Sequence, residues 1–177
     1  MIMLSVKLNE FMNQAQNNKI SKGVYNDYQK TTSSAQVFAE NGQLECWVHT
    51  YLTHDGDNQA FSDGLKLFKR TFIGPLKIPL SLFERCCGPE DHMKWQVNAQ
   101  DFENRVTHLM TSIQKDHDMP PLIIQYVNDG FELNDGNHRY EAYLRLKHTT
   151  VHVIIWITEE SDVDAFYVKY AHLFPKQ

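Results

Sequence analysis

The amino-acid sequence predicts a mixed fold of helices and strands, of the α+β or α/β class. The chain has 177 residues, which suits one domain, and 42% of them are hydrophobic, which is enough for a packed core. Segments with strand-like and helix-like patterns alternate through its second half. We therefore predict a single α+β domain, with no internal repeat and no low-complexity tract.

The first 70 residues are predicted to elaborate the N-terminal side of this domain, and residues 71–177 to form its core. Residues 1–35 are polar and rich in Asn, Gln, Lys and Ser, so we predict a loosely attached arm. Within that arm a few apolar residues recur at helical spacing, which indicates a short amphipathic helix. They are Leu4, Leu8, Phe11, Met12 and Ala15.

The rest of the N-terminal region carries weaker patterns. Residues 43–53 alternate between apolar and polar types well enough to predict a strand. Residues 54–59, which follow, are rich in turn-forming types. Residues 65–72 fit a helix and a strand equally well.

The predicted core starts with a short strand at residues 76–84, which contains a proline, and a Gly-Pro loop at residues 86–95. Residues 98–118 predict a helix, since Asn98 followed by Asp101 resembles a capping arrangement. The apolar face of this helix is predicted to consist of Phe102, Val106, Leu109, Met110 and Ile113.

The remaining elements alternate regularly between strand and helix patterns. Residues 128–130, Asn-Asp-Gly, are a strong hairpin signal between two strand-like runs. A helix, a buried strand and a last helix opened by Ser161 complete the predicted core. The predicted ranges are 119–127 and 131–135 for the hairpin strands, 136–147 for the helix and 149–158 for the buried strand.

The charge balance and the cysteines argue against several classes of protein. A net charge of −5 and a pI near 6.0 oppose broad binding to nucleic acid, which needs a basic face. Cys46, Cys86 and Cys87 have no Cys-x-x-Cys spacing, so neither a disulfide framework nor a zinc ribbon is predicted. The chain starts without the apolar run of a signal peptide, and no segment is long enough to span a membrane. We therefore expect a soluble cytoplasmic protein without membrane partners.

The residues with the clearest chemical potential are Asp-Gly-Asn-His-Arg at 135–139, between a predicted strand and a predicted helix. A helix start offers unpaired N–H groups and partial positive charge, and an Arg in its first turn adds a forked cationic donor. Such an assembly suits a phosphate. An ordinary capped turn is the alternative, with Asp135 or Asn137 as the cap and Arg139 paired to Glu132 or Asp135.

Residues 76–158 resemble the core of the ParB/sulfiredoxin-like superfamily in the order of their elements. The resemblance includes a helix, Pro120-Pro121 before a strand, a tight turn, the Asp135 to Arg139 helix start, and a closing strand at residues 151–156. In this motif the chain is most similar to the free-serine kinase branch. The resemblance implies a small mixed sheet packed with helices, in one ParB/sulfiredoxin-like domain.

The resemblance also implies a nucleotide-binding site. Relatives bind the phosphates of CTP, ATP or ADP at this helix start, so Gly136, Asn137, His138 and Arg139 are the expected phosphate contacts. The nucleotide expected here is ATP or ADP, with CTP as the alternative, together with Mg²⁺. These expectations follow from the resemblance and not from the spacing of the residues.

Two carboxylates are candidates for catalysis. Asp135 matches the acid of the kinase motif, which can take a proton from a hydroxyl or hold Mg²⁺. A second carboxylate is expected near the first strand of the core. Glu84 is the candidate, and Glu90 and Asp91 are the alternatives.

Departures from the family pattern narrow the implied functions. Sulfiredoxins carry a catalytic Cys where this chain has Asn137, so sulfinic acid repair is not expected. The residues after the last core strand leave no room for the DNA-binding domain of ParB proteins, so chromosome partitioning is not expected either.

Three hypotheses follow for function. The first is a nucleotide-dependent phosphotransferase, an ATP- or ADP-dependent kinase acting on a small hydroxylated molecule. The second is a non-catalytic module that senses a nucleotide or binds a protein partner. The third is a ParB-like nuclease, which the acidic charge and the lack of a clear metal-binding carboxylate cluster disfavour.

Overall fold

The computed structural model describes residues 27–174 of the chain. The amphipathic helix predicted from Leu4 to Ala15 lies outside these residues. The six α-helices of the described part are α1 (Thr32–Glu40), α2 (Leu44–His54), α3 (Gln59–Leu65), α4 (Ala99–Gln114), α5 (Asn137–Arg145) and α6 (Glu160–Lys169). Its six strands are β1 (Thr71–Pro79), β2 (Cys87–Gly88), β3 (Trp95–Gln96), β4 (Leu122–Val127), β5 (Gly130–Asp135) and β6 (Thr150–Ile157).

The main sheet has four strands in the order β1-β6-β4-β5. Strand β6 runs antiparallel to β1 and parallel to β4, so the sheet is mixed and the fold is α+β, as predicted. Strands β4 and β5 form a hairpin in which Val127 pairs with Gly130. Asn128 and Asp129 between them have φ values of 50° and 63°, which are the left-handed angles that a two-residue hairpin turn needs.

Side chains on the two faces of the sheet enter two separate apolar clusters. Leu122, Ile124 and Tyr126 of β4 face the cluster that includes Phe166 of α6. Ile123, between them, faces the opposite cluster, which is built by the N-terminal helices. Residues 32–65 therefore pack on one face of the sheet, against strands β1, β4 and β6.

The strand predicted at residues 43–53 is wrong, because this segment forms helix α2. Its buried residues follow helical spacing and make one continuous apolar face against the sheet. They are Leu44, Trp47, Val48, Tyr51 and Leu52. The partial alternation of this segment was compatible with a strand, but the spacings of three and four residues fit only the helix.

Residues 65–72, which fitted both patterns, are divided between two elements. Helix α3 ends at Leu65, a turn follows, and β1 begins at Thr71. The last helix begins at Glu160, one residue before the predicted opener Ser161, and no side chain caps it. Val168 of this helix is 82% exposed, whereas Phe166 is buried.

The strand predicted at residues 76–84 ends at Pro79, because Leu80–Leu82 forms a 3-10 helix, and the loop predicted at residues 86–95 contains β2 and the start of β3. The predicted cap of α4 is confirmed. Asn98 accepts a hydrogen bond from the backbone N–H of Asp101 and so caps α4. Phe102 and Val106 of α4 are buried against Ala142 of α5, which fixes α4 beside the start of α5. None of the helices in residues 27–174 is long and apolar enough to cross a lipid bilayer.

Candidate functional site

Helix α5 starts immediately after strand β5, with Gly136 as the residue that caps it. Gly136 has a φ of 102°, and a Cβ at this position would lie 2.5 Å from Leu122 Cδ2. Only glycine fits such a left-handed and crowded turn. No side chain caps α5, so the backbone N–H groups of its first turn are available to an acceptor.

A cavity of about 500 Å³ opens at this helix start, and we call it the Asp135 cavity. Four residues of the predicted motif line it, together with residues of α4 and of the N-terminal region. The motif residues are Asp135, Gly136, His138 and Arg139. The other charged or titratable residues in its wall are Lys30, Tyr51, Asp55, Arg105, His108, His117 and Asp118.

Arg139 is buried beside this cavity, with 5% of its surface exposed. Its Nη1 donates to the carbonyl oxygens of Pro120, at 2.6 Å, and Pro121, at 3.0 Å. Its Nη2 donates to Asp135 Oδ2, at 2.5 Å, and to the Tyr51 hydroxyl, at 2.8 Å. Of the two ion-pair partners considered for Arg139, the structure therefore selects Asp135 over Glu132. Arg139 holds the fold together and also faces the cavity.

Of the two carboxylate oxygens of Asp135, only Oδ2 accepts hydrogen bonds from residues 27–174. Oδ2 accepts from Arg139 and also from the Tyr51 hydroxyl, at 3.1 Å. Within residues 27–174, no group donates a hydrogen bond to Oδ1. Asp135 is half-buried at the cavity wall, so this second oxygen is available to a metal ion or a proton donor.

The other two carboxylates of the cavity already have partners. Asp55 forms an ion pair with Lys30, at 3.2 Å, and accepts from the Tyr28 hydroxyl. Asp118 accepts from the backbone N–H groups of Thr32 and Ser33 and so fixes the start of α1. Among the three carboxylates of the cavity, Asp135 is therefore the one with an oxygen that accepts no hydrogen bond and forms no ion pair within residues 27–174.

Arg105 is an exposed cation on the cavity side of α4. It makes no hydrogen bond or ion pair with any residue between 27 and 174, so its charge is available to a ligand. Sequence reasoning missed this residue. The signal was a second stripe on α4, since Arg105, His108 and Ser112 recur at helical spacing and all line the cavity.

His138 is half-buried, and its ring lies against that of Phe102. Burial lowers the pKa of the imidazole, and the nearby charge of Arg105 lowers it further. The ring is therefore neutral at neutral pH in the free protein. A neutral imidazole at the wall of the cavity can donate one hydrogen bond and gains a charge when protonated.

The side chain of Asn137 points away from the Asp135 cavity. Its Oδ1 accepts from the backbone N–H groups of Cys86, at 2.9 Å, and Cys87, at 3.1 Å. Asn137 lines a second cavity of about 780 Å³, on the other side of the first turn of α5. For Asn137, the candidate phosphate contact at the helix start is therefore the backbone N–H and not the side chain.

The structure places Glu84, the second carboxylate expected from the sequence, in this second cavity and not beside Asp135. Its alternatives do not line the Asp135 cavity either. Glu90 forms an ion pair with Arg85, which lowers the pKa of the Glu90 carboxyl to about 2. Asp91 is exposed on the loop between β2 and β3.

The donor set of the Asp135 cavity fits Mg²⁺ that arrives with a phosphate ligand. Among residues 27–174, no three His, Cys, Asp or Glu side chains are grouped to hold a metal. Mg²⁺ commonly needs only one or two carboxylates, because water and substrate phosphates supply the other ligands. Asp135 Oδ1 can supply one such ligand.

Residues 91–169 match the family model of the ParB N-terminal domain. This segment includes α4, the hairpin, the start of α5 and strand β6, and it is less than half of the chain. The matched segment lies largely within residues 76–158, the part of the sequence that resembles the ParB/sulfiredoxin-like superfamily. No curated protein matches the sequence.

Solved structures similar to this chain include sulfiredoxin from Arabidopsis thaliana, with 24% identity and a TM-score of 0.38. That match covers 54% of this chain and 94% of the sulfiredoxin. The C-terminally truncated ParB from Caulobacter crescentus, complexed with CTP-γ-S, has 13% identity and a TM-score of 0.34. The match covers 61% of this chain and 56% of that ParB. A Pnob8-like ParB-N domain has the same identity and TM-score, and 40% of its chain is covered.

Proposed function

We propose that the Asp135 cavity binds a nucleotide by its phosphates, and that the protein transfers a phosphoryl group to a small hydroxylated molecule. The observation that carries this proposal is the start of α5, which no side chain within residues 27–174 caps. It opens into a cavity whose wall holds Arg139 and Arg105, and Arg105 has no ion-pair partner among those residues. Helix-start N–H groups, the positive end of a helix dipole and the guanidinium of Arg105 are suited to a phosphate chain. Both terminal nitrogens of Arg139 already donate to protein acceptors, so this residue contributes its positive charge.

The proposed phosphate contacts follow from the position of each group. The backbone N–H groups from Gly136 to Arg139 lie at the helix start, and the absence of a Cβ on Gly136 lets a phosphate oxygen approach them. Arg105, which lines the cavity from α4, supplies the charge that no other described residue neutralises. A cavity of about 500 Å³ has a size typical of small-molecule sites.

Asp135 is the proposed catalytic carboxylate. Its free Oδ1 takes the proton of the acceptor hydroxyl or holds Mg²⁺, which neutralises phosphate charge when bound. Glu84 lines the other cavity, so its participation requires an acceptor that spans the first turn of α5. The proposed nucleotide is ATP or ADP, with CTP as the alternative.

Thermal stabilisation of the purified protein tests nucleotide binding. ATP, ADP, CTP and GTP are added separately, with and without Mg²⁺, and the unfolding temperature is compared with that of the free protein. A ligand at 100 times its dissociation constant stabilises by about 2.7 kcal/mol, which is readily detected. Failure of all four nucleotides to stabilise the protein would overturn the proposal.

Arg105→Ala identifies the site of any stabilisation. The substitution removes an exposed side chain, so the free protein keeps its unfolding temperature while the nucleotide-induced increase becomes smaller. Lys115→Ala is the matched control, because Lys115 is the exposed residue that follows the last turn of α4 and it lies outside the cavity. An equal nucleotide response in both variants would place the nucleotide elsewhere.

A non-catalytic nucleotide-sensing module is the second candidate. It is favoured by the hydrogen bonds that Asp135 Oδ2 accepts from Arg139 and Tyr51. The same geometry suits an ion pair with a purely structural role. Asp135→Asn separates the two. A phosphotransferase retains nucleotide binding and loses about 10²- to 10⁴-fold in turnover, whereas a sensor has no turnover in the wild-type protein.

A further inference from the structure

The hydroxyl of Tyr51 joins the N-terminal helices to the candidate phosphate site. It lies on α2, accepts a hydrogen bond from Arg139 Nη2 at 2.8 Å, and donates one to Asp135 Oδ2 at 3.1 Å. The guanidinium carbon of Arg139 also lies 5.4 Å from the centre of the Tyr51 ring. One side chain therefore contacts both charged groups of the motif.

Tyr51 is itself held rigidly. Its ring stacks on the Trp47 ring, with centroids 5.2 Å apart and planes at 3°. The Trp47 indole N–H donates to the carbonyl oxygen of Gln29, and both aromatic side chains are buried. The position of the hydroxyl is thus set by the packing of α2 and not by the motif that it contacts.

The two bonds of this hydroxyl determine how Arg139 and Asp135 face each other. Nη1 of Arg139 is fixed by the carbonyl groups of Pro120 and Pro121, so Nη2 makes the contacts of this guanidinium with Tyr51 and Asp135. Nη2 is shared between the Tyr51 hydroxyl and one carboxylate oxygen. Without that hydroxyl, Nη2 and Oδ2 have only each other within residues 27–174.

We propose that Tyr51 is a positioning residue of the phosphate site, which holds the positive charge of Arg139 beside the ligand and keeps Asp135 Oδ1 free. The inference rests on the proposed function. It makes the N-terminal helices part of the site, although Tyr51 lies outside the segment that matches the ParB N-terminal domain.

The protonation of Tyr51 is consistent with this role. Burial raises the pKa of the phenol well above its ordinary value, against the opposing charge of Arg139. The hydroxyl therefore stays a donor to Asp135 throughout the neutral range.

The test is Tyr51→Phe, which removes the hydroxyl and keeps the stacked ring. Affinities are measured by calorimetry for ATP and CTP, and for adenosine and cytidine as phosphate-free probes. We expect about tenfold weaker binding of the nucleotide that the wild-type protein prefers, the scale of one lost hydrogen bond to a charged group. Binding of the matching nucleoside should be unchanged, because the hydroxyl acts only on the phosphate contacts.

Tyr126→Phe is the matched control. Tyr126 is also buried, and its hydroxyl donates to a carboxylate, Asp129, at 2.8 Å, but it does not line the Asp135 cavity. This variant should bind every probe like the wild-type protein. The pair of variants separates the loss of a buried tyrosine–aspartate bond from the loss of a site contact.

The outcomes distinguish this inference from the proposed function. If the wild-type protein binds neither ATP nor CTP, the proposed function fails and the inference fails with it. If the wild-type protein binds and Tyr51→Phe binds equally well, only the role of Tyr51 is overturned. A loss of nucleoside binding equal to the loss of nucleotide binding would also overturn it, because that pattern reflects a general structural defect.

Discussion

The ring of His138 packs against the ring of Phe102, with centroids 4.8 Å apart and planes at 37°. This contact between α5 and α4 buries part of the imidazole at the wall of the Asp135 cavity. Burial lowers the pKa of His138, and the positive charge of Arg105 lowers it further. The charge of Arg139 acts in the same direction, and the charge of Asp135 acts in the opposite direction. Two consequences can be measured.

The first prediction concerns the pH dependence of nucleotide binding. A phosphate in the cavity favours the charged imidazole, so binding should be accompanied by proton uptake at His138. Affinity is expected to rise as pH falls toward the lowered pKa of the free protein and to level off below it. Calorimetry in two buffers with different ionisation enthalpies counts the protons taken up. His138→Gln should take up fewer protons than the wild-type protein.

His152→Gln is the control for this measurement, because burial also lowers the pKa of His152, and its side chain lies outside the Asp135 cavity. The nucleotide has its own phosphate titration, which all variants share. Equal proton uptake in the wild-type protein and His138→Gln would contradict the prediction.

The second prediction concerns the stability of the free protein. The folded-state pKa of His138 lies below the unfolded value of about 6.5, so folding favours the neutral ring. This contribution to stability is complete above pH 6.5 and is lost as pH falls through the lowered pKa. Urea unfolding at a series of pH values should give a flatter profile for His138→Gln. A profile identical to that of the wild-type protein would show that folding does not lower the pKa of His138.

The third prediction is that Arg139→Ala destabilises the fold. The substitution removes the cationic partner of Asp135 and the donor to two proline carbonyl groups in a buried environment. Breaking such a buried pair costs about 3–5 kcal/mol of unfolding free energy, measured by chemical denaturation. Arg145→Ala, on the same helix but with exposed ion pairs, should cost less than about 1 kcal/mol. A loss of less than about 1 kcal/mol of unfolding free energy in both variants would show that Arg139 contributes little to the stability of the fold.

The fourth prediction is that Gly136→Ala damages both fold and site. The added Cβ would be 2.5 Å from Leu122 Cδ2 and 3.0 Å from Arg139 Nη2, at a backbone φ of 102°. We expect a loss of more than about 1 kcal/mol in unfolding free energy, together with weaker nucleotide binding. Gly64→Ala, in α3 with open space around it, should instead stabilise by up to about 1 kcal/mol. A neutral effect of Gly136→Ala would refute the steric account.

The fifth prediction concerns the loop that precedes β2. Asn137→Ala removes the acceptor shared by the backbone N–H groups of Cys86 and Cys87. Hydrogen exchange at these two groups is expected to accelerate on the order of tenfold. Asn134 lines the same second cavity as Asn137 and accepts a hydrogen bond from the Trp156 indole N–H. Asn134→Ala removes that bond and should leave hydrogen exchange at Cys86 and Cys87 unchanged. Unchanged exchange in Asn137→Ala would mean that the loop is held by other contacts.

The core elements were predictable because local signals agreed with the fold. The Asn-Asp-Gly turn, the Asn98 cap and the helix start after Asp135 each depend on neighbouring residues. Helix α2 was misread because its apolar residues were judged by alternation, and only their complete set shows the helical spacing.

The candidate site was predictable from the sequence only where its residues are neighbours along the chain. Asp135, Gly136, His138 and Arg139 share a cavity because one strand–helix junction carries them all. Tyr51 and Arg105 come from other elements and reach the cavity through tertiary packing, which a motif cannot indicate. Glu84 was placed by analogy with the order of elements, and packing directs it to the opposite side of α5.

The bonds of Arg139 also bear on the order in which the protein folds. They join α5 to the segment before β4 and to Tyr51, which is 88 residues away in sequence. Contacts of such long sequence separation form late, since closing a long loop costs entropy before any bond is gained. A folding intermediate with only the hairpin and α5 would contain the motif without its cavity. Nucleotide binding would then report that the whole domain has assembled, and a bound nucleotide would favour the completed fold over every earlier species.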